Sequence, residues 1–318
     1  MWLDILDRQK HIEIAYQKGD KLTLNNNKYL NWITAFFNKE YRDDVGTGDI
    51  TSKAVLPKNK STKATLKAKT SGVIGGIEEV DWFLRNHRLE VKVHAKDGQR
   101  VLNGDTVLEV IGKQKNILKT ERIALNVLQR MSGIATETRR LTDLLNGYST
   151  RIAATRKTLL RYFDKKAVFL GGGLTHRFGL WDSILIKDNH LENLKSEGIE
   201  NYVEVAIVKA STYVNTVFFI EIEVTSREDA ILAAKKFNTL RLEKPCVIML
   251  DNMTPMEIEK TIDTLRDEFL YDSVLLEASG EIIPKNILKY AKTGIDVVSL
   301  GYLTHSAKVL DMNLEMTL

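Results

Sequence analysis

The sequence predicts an α/β protein in two parts, an N-terminal α+β domain followed by a parallel α/β sheet or barrel. Three observations carry this reading. Between residues 151 and 300, short apolar stretches rich in β-branched residues alternate with polar segments of helical period, the pattern of strands buried on both faces and joined by helices. Polar residues collect just after each apolar stretch, where α/β barrels assemble their sites. Residues 1–121 lack that alternation and show strands joined by short turns.

Taken in order, helices are expected at Leu30–Lys39 and Ile77–Arg85. Strands are expected at Thr65–Ala68, Glu90–His94 and Thr106–Ile111, linked by turns such as K-D-G-Q and L-N-G-D, and a helix follows at Lys119–Met131. The polar stretch 17–28 reads as a surface loop. The second half predicts strands at Arg151–Thr155, Ser183–Ile186, Val217–Val224, Cys246–Leu250, Ser273–Leu276 and Ile295–Leu300. Helices are expected between them at Asn193–Ala210, Ser226–Phe237, Pro255–Phe269 and Pro284–Lys292, and Thr254-Pro255 forms a good N-cap and first-turn pair.

Composition narrows the function classes. The formal charge of +4 over 318 residues, with scattered lysines, lacks the basic stripe that nucleic-acid binding wants. The single Cys246 sits in the apolar run P-C-V-I-M-L, where a small core residue is expected rather than a disulfide or metal ligand. No apolar run approaches the ~18–20 residues of a membrane span, and the opening M-W-L-D-I-L-D is too acidic for a signal peptide. A cytoplasmic protein is expected.

The densest chemistry lies between Thr155 and His190, where Arg156, Lys157, His176, Arg177, Lys187 and His190 flank the triple glycine Gly171–Gly173. Fixed cations beside bare backbone suit a small polyanion, each charge-assisted bond contributing roughly 1.5–3 kcal/mol. The triple glycine either lets backbone approach that ligand or ends a helix. His176 is expected to bind a carboxylate, the alternative being a structural histidine. Lys187 at a strand end could serve as a Schiff-base nucleophile, but nothing demands covalent chemistry.

Glu223 and Asp251, at the ends of neighbouring expected strands, could ligate Mg²⁺ alongside substrate phosphates, or simply pair with the site's cations. Ser279-Gly280-Glu281, between a strand and an expected helix near Ile282, and Ser299-Leu300-Gly301 are candidate phosphate loops.

Together these segments resemble the quinolinate phosphoribosyltransferase family, decarboxylating enzymes also called nicotinate-nucleotide pyrophosphorylases. The resemblance rests on G-D-I-T-S (48–52), D-G-Q-R-V-L-N-G-D (97–105), E-R-I-A-L-N-V-L-Q-R-M-S-G-I-A-T (121–136), T-R-K-T, G-G-G-L-T-H-R-F-G-L, I-K-D-N-H, I-E-V, L-D-N-M, E-A-S-G and S-L-G-Y-L-T-H-S, in that order. It implies an N-terminal α/β sandwich over 1–121, with 306–318 returning to it, and an incomplete α/β barrel over 122–305. It also implies a homodimer or a higher assembly of dimers, with Arg122 donated across the interface.

By motif position the resemblance implies that the carboxylates of quinolinate meet Arg122, Arg156, Lys157, His176, Arg177 and Lys187. It places Glu223 and Asp251 near Mg²⁺ and the ribose of phosphoribosyl pyrophosphate, and Ser279, Gly280, Gly301 and His305 near the 5′-phosphate. The implied catalytic set is Lys157, Lys187, Glu223 and Asp251, with no organic cofactor. The reaction gives nicotinate mononucleotide, pyrophosphate and CO₂, a step in NAD biosynthesis.

Three departures stand out. The family's T-P-G-L-R continuation after T-R-K-T is shortened to Leu159-Leu160-Arg161, its Asn before His-Arg is Thr175, and its second Gly of S-G-G is Glu281. They keep open a paralogue acting on another anionic heterocycle, of the molybdenum-transport-associated type, and a non-catalytic anion-binding homologue.

Overall fold

A computed structural model describes residues 5–57 and 60–317 of the 318-residue chain. The chain divides into two compact units. One comprises residues 1–18, 141–158 and 173–305; the other comprises 19–140, 159–172 and 306–318. The first helix sorts with the barrel, and residues 159–172 sort with the N-terminal sheet.

The N-terminal unit is built on a four-stranded antiparallel sheet in the order Met312–Thr317, Ser61–Ala68, Thr106–Lys113, Glu90–Val93. The C-terminal strand pairs from Lys63↔Thr317 to Ala68↔Met312, so residues 312–317 form the edge of this sheet. Alternation along Ser61–Ala68 buries Ala64, Leu66 and Ala68 on one face, which fixes register because a one-residue slip would turn that face to water. Helices Asn27–Val45 and Ile77–Asn86 meet through Phe37 and Phe83, stacked at 4.4 Å.

Helix Arg161–Leu170 also belongs to this unit. Arg130 grips its Asp164 through two 2.7 Å bonds, and its Lys166 sits among Glu78, Glu79 and Asp97. Gly171 ends that helix and packs where a Cβ would lie 2.6 Å from the Ala135 carbonyl. Of the two roles considered for the triple glycine, helix termination is the one seen at Gly171.

The other unit carries six parallel strands: Arg151–Ala153, Ile184–Ile186, Ile220–Val224, Cys246–Asp251, Leu275–Ser279 and Val297–Ser299. Numbered by chain position, their order in the sheet is one, six, five, four, three, two. Leu174 adds a parallel bridge to Ala153 beyond strand one. Strand two pairs only with strand three among the described residues, so the barrel is incomplete.

Period-two alternation divides each strand between two faces. Phe219, Val247, Leu275 and Val297 form an apolar layer at one end of the interior. Two residues further along, the interior positions become Glu221, Met249, Glu277 and Ser299, and two further still they are Glu223, Asp251 and Ser279. The barrel thus grades from oil to charge toward its carboxyl end.

Helix Ile5–Tyr16 plugs the apolar end. Its Ile12, Ala15 and Tyr16 are 0% exposed and share one cluster with the strand layer. Arg8 closes the same end with two 2.6 Å bonds to Asp296. The stretch after the helix is no surface loop at its start: Lys18 is 1% exposed and pairs with the buried Asp182 at 2.8 Å. Thr175 receives the Lys18 backbone N–H at 3.0 Å and donates to the Tyr16 carbonyl at 2.8 Å, which gives this departure from the family's Asn a packing role.

Two expected helices differ. Asn193–Ala210 is broken into Asp188–Ser196 and Tyr202–Ser211, with Gly198 at φ +78° in the break. Pro284–Lys292 contracts to Ile287–Ala291, while Thr254 caps its helix as expected, in a capping box with Glu257. Cys246 is buried at the start of strand four.

Because Ile12 fills the barrel end with no exposed surface, Ile12→Ala is expected to destabilise the protein by about 2–5 kcal/mol. A urea denaturation midpoint unchanged from wild type would show that the helix is not part of the barrel core.

Candidate functional site

At the carboxyl ends of the strands lies a cavity of about 460 Å³, within the range of small-molecule sites. Each cation reaches it from a strand end. Arg156 and Lys157 follow strand one, His176 and Arg177 follow the Leu174 bridge, and Lys187 follows strand two. Glu223, Asp251, Glu277, Ser279 with Gly280, and Ser299 supply the polar lining from strands three to six. Parallel strands leave their last side chains and following loops on one end of a barrel, which is why residues as far apart as Thr155 and Ser299 meet here.

The cations differ in setting. Arg156 and Lys157 are exposed, whereas Arg177 is 5% exposed. Burial, reinforced by the charge of Arg156, lowers the Arg177 pKa, while Glu221, Asp182 and Glu223 pull it back up. A cation cluster under such strain favours an anionic ligand. The Thr304 hydroxyl holds the Lys157 carbonyl at 2.6 Å, tying the first cationic loop to the last strand's loop. Gly301 lies against Lys157 and His305, each of which would stand 3.1 Å from a Cβ placed there.

Two of the carboxylates sit beside the cations. Lys187 Nζ pairs with Glu223 Oε2 at 2.6 Å, and its backbone N–H donates to His190 Nδ1 at 2.8 Å, capping the following helix. Asp251 accepts from its neighbour Asn252 at 2.7 Å. Burial pushes Asp251 above the ordinary carboxylate range, against the opposing pull of Lys187 and Lys157. Two carboxylates on adjacent strands, one of them poorly compensated, fit a hard cation that keeps waters and phosphate oxygens as its other ligands.

Beneath them is a buried layer in which Glu277, one of the polar residues expected after the strands, meets Glu221, which sequence reasoning did not single out. Glu221 and Glu277 are both 0% exposed, and His176 Nε2 stands 3.5 Å from the first and 3.3 Å from the second. Burial and the neighbouring Glu277 push Glu221 well above the usual carboxylate range, with Arg177 opposing. Burial also raises Glu277, but His176 and the facing Ser299 and Tyr16 hydroxyls hold it below its ordinary value. The signal for Glu221 was present in E-I-E-V, since alternation puts both glutamates on one face.

The loop Ser279-Gly280-Glu281 lines the cavity, but the expected helix does not begin at Ile282. It starts at Ile287 and spans five residues, so a helix terminus contributes no phosphate site at this loop. The loop is shaped by backbone instead. Gly280 has φ +90°, and a Cβ on it would come within 2.2 Å of Asn252 Oδ1. Glu281 follows at φ +47°, a conformation costing a non-glycine residue about 1 kcal/mol or more. His305 is exposed close to Gly301 without lining the cavity. Arg122 lies exposed on helix Gln114–Leu144 in the other unit and does not line the cavity either.

Gly280→Ala is expected to lower stability by at least ~1 kcal/mol, from positive φ and the clash together, read as a fall in thermal midpoint. Asp251 gives a pH prediction. A carboxyl whose folded pKa exceeds its unfolded value binds its proton more tightly when folded, so its contribution to stability is present below the unfolded pKa and lost as pH rises through the folded one. Asp251→Asn is therefore expected to be more thermostable than wild type at neutral pH in ligand-free protein, with the difference fading in acid. A lower midpoint for the variant at pH 7 would contradict this.

Known proteins match this arrangement over most of the chain. The C-terminal domain model of quinolinate phosphoribosyl transferase matches residues 134–315, and the N-terminal domain model matches residues 49–132. A protein of Methanothermobacter thermautotrophicus named a nicotinate-nucleotide pyrophosphorylase (carboxylating) is 38% identical over 279 residues, covering 86% of this chain and 95% of its own. A Bacillus subtilis protein of the same name is 35% identical over 295 residues, covering 90% and 94%. Among solved structures, NadC from Streptococcus pyogenes superposes with a TM-score of 0.79 at 35% identity, covering 90% of this chain and 96% of its own. With both domain models matched in order and relatives aligned nearly end to end, the chain belongs to the quinolinate phosphoribosyltransferase family.

Proposed function

We propose that this protein transfers the phosphoribosyl group of phosphoribosyl pyrophosphate to quinolinate, with decarboxylation, giving nicotinate mononucleotide, pyrophosphate and CO₂. The observation that carries this is the convergence of Arg156, Lys157, Arg177 and Lys187 with Glu223 and Asp251 around one cavity. Four cations exceed what a monoanion needs and suit a dicarboxylate together with a pyrophosphate. The names of the relatives favour the same pyridine substrate over another anionic heterocycle.

In this reading Arg156, Lys157, Arg177 and Lys187 hold the ring carboxylates and the departing pyrophosphate. Ser279, Gly280 and Gly301 receive the 5′-phosphate, with His305 beside them. Glu223 and Asp251 would hold Mg²⁺, which when bound neutralises charge on the pyrophosphate. The pyridine nitrogen displaces pyrophosphate at ribose C1, so no protein nucleophile is required and Lys187 acts as a charge rather than a Schiff base. The carboxylate beside the nitrogen then leaves as CO₂, because the pyridinium stabilises the electron pair left on the ring carbon, which takes a proton from water to give the product. The chain contributes position and electrostatics.

The assembly we propose is a dimer, or dimers of dimers, in which the exposed Arg122 completes the partner's site, in a cytoplasmic protein. No helix among the described residues is long and apolar enough to cross a membrane.

The direct test is turnover of quinolinate with phosphoribosyl pyrophosphate and Mg²⁺, with nicotinate as a parallel substrate. Product from quinolinate alone is expected, and a folded protein inert toward both would refute the assignment. Lys187→Ala is expected to lose a few kcal/mol of transition-state stabilisation, roughly 10²-fold in kcat/KM; near-normal turnover would remove that lysine from the site. If Arg122 is shared, mixing Arg122→Ala with Lys187→Ala after subunit exchange restores part of the activity that each lacks alone, and no recovery would place Arg122 elsewhere.

A further inference from the structure

His176, Glu221 and Glu277 meet inside the barrel, and the chemistry proposed above gives the two glutamates no task. Their ligand atoms and the His176 ring nitrogen lie within 4.8 Å of one another, a donor set that would suit a transition metal. The hydrogen bonding of the ring points elsewhere. His176 Nδ1 accepts the Arg177 backbone N–H at 2.7 Å. A nitrogen that accepts carries no proton, so in the neutral ring the proton sits on Nε2, which faces Glu277 at 3.3 Å and Glu221 at 3.5 Å. The nitrogen facing the carboxylates is a donor, which a metal ligand cannot be.

The ring is held through its backbone, its Nδ1 and two aromatic neighbours. His176 has φ +54°, which folds its side chain back over the next peptide, and its own N–H donates to the Tyr16 carbonyl at 2.9 Å. The Tyr16 ring meets it edge-on at 5.0 Å, and Phe219 does so at 5.6 Å. Arg177, the next residue, lines the cavity, and among the described residues its guanidinium donates a long 3.4 Å bond to the Ser183 carbonyl. Its aim therefore depends strongly on the backbone that His176 Nδ1 fixes.

We propose that Glu277, backed by Glu221, is a positioning residue: it orients the His176 ring, which fixes the Arg177 backbone and so aims the Arg177 guanidinium at a carboxylate of the pyridine substrate. The inference rests on the activity proposed above. It gives His176 a role in orientation rather than a direct grip on the substrate anion. It also predicts a selective effect, because Arg177 serves the dicarboxylate while Ser279, Gly280 and Gly301 serve the phosphoribosyl donor.

The test compares Glu277→Met, which removes the acceptor at similar size, with Glu277→Gln, which keeps an acceptor oxygen. In Glu277→Met the KM for quinolinate is expected to rise at least tenfold while that for phosphoribosyl pyrophosphate stays within twofold, and Glu277→Gln is expected to recover most of the loss. Combined with His176→Ala the effects are not expected to multiply, since both variants cut one chain of contacts. Equal shifts in both KM values, or multiplying effects, would overturn the proposal. Independently of activity, and of whether Glu277→Met folds, ¹⁵N spectra of histidine-labelled wild type at neutral pH are expected to show His176 protonated on Nε2 alone, its signal identified by loss in His176→Ala. A proton on Nδ1, or on both nitrogens, would overturn it as well. Wild type that fails to turn over quinolinate but shows the Nε2 tautomer would refute the activity and leave the contact chain standing.

Discussion

The cations at the mouth of the barrel can stay together only because carboxylates are built in beside and below them. Lys187 leans on Glu223, and Arg177 is pulled back toward its ordinary pKa by Glu221, Asp182 and Glu223. Without those acids, burying Arg177 near Arg156 would leave an uncompensated charge, among the costlier defects a fold can carry. The compensation is incomplete by design of the geometry, since Arg177 still ends below its ordinary value. A protein whose ligand is anionic gains from that residual imbalance, because the ligand completes it.

That arrangement depends in turn on how the barrel is filled. Six parallel strands present inward side chains every second residue, and the layers run from Phe219, Val247, Leu275 and Val297 to glutamates and then to the cavity lining. An apolar floor excludes water from the glutamate layer and raises the energetic weight of every charge above it. Helix Ile5–Tyr16 seals the floor, and its last residue reaches the site layer through the Tyr16 carbonyl, which accepts from both Thr175 and His176. A helix at the start of the chain thereby helps shape a loop more than 150 residues later.

The N-terminal unit solves a different problem. Residues 159–172 leave the barrel immediately after the Arg156-Lys157 loop and fold among the helices and sheet of that unit. Asp164 is 0% exposed and Lys166 5% exposed, and both survive burial because each has opposite charge at bonding distance in Arg130 and in the Glu78, Glu79 and Asp97 group. Breaking either pair by removing one partner would strand a buried charge, so the helix after the cationic loop has a firm seat despite the two-residue shortening that precedes it.

The sequence by itself determined the alternation of strand and helix, the parallel sheet it implies, and the polar residues that gather after each strand, because these follow from periodicity over a few neighbouring residues. It placed Arg156, Lys157, His176, Arg177, Lys187, Glu223, Asp251 and the Ser279-Gly280 loop at strand ends, and one cavity does bring them together. Tertiary structure decided what periodicity cannot reach. The plug helix is only weakly amphipathic by pattern, and its place in the barrel follows from the space that Phe219, Val247, Leu275 and Val297 leave. The helix expected at Pro284 contracts because the Glu281–Asn286 turn bonds internally, Asn286 accepting from Ile283 and donating to the Glu281 carbonyl. Glu221 reads in sequence as an ordinary acid and Glu277 as one of the polar residues gathered after a strand, and only long-range packing makes them buried neighbours of one histidine, since burial depends on which strands become neighbours and a linear pattern does not record that.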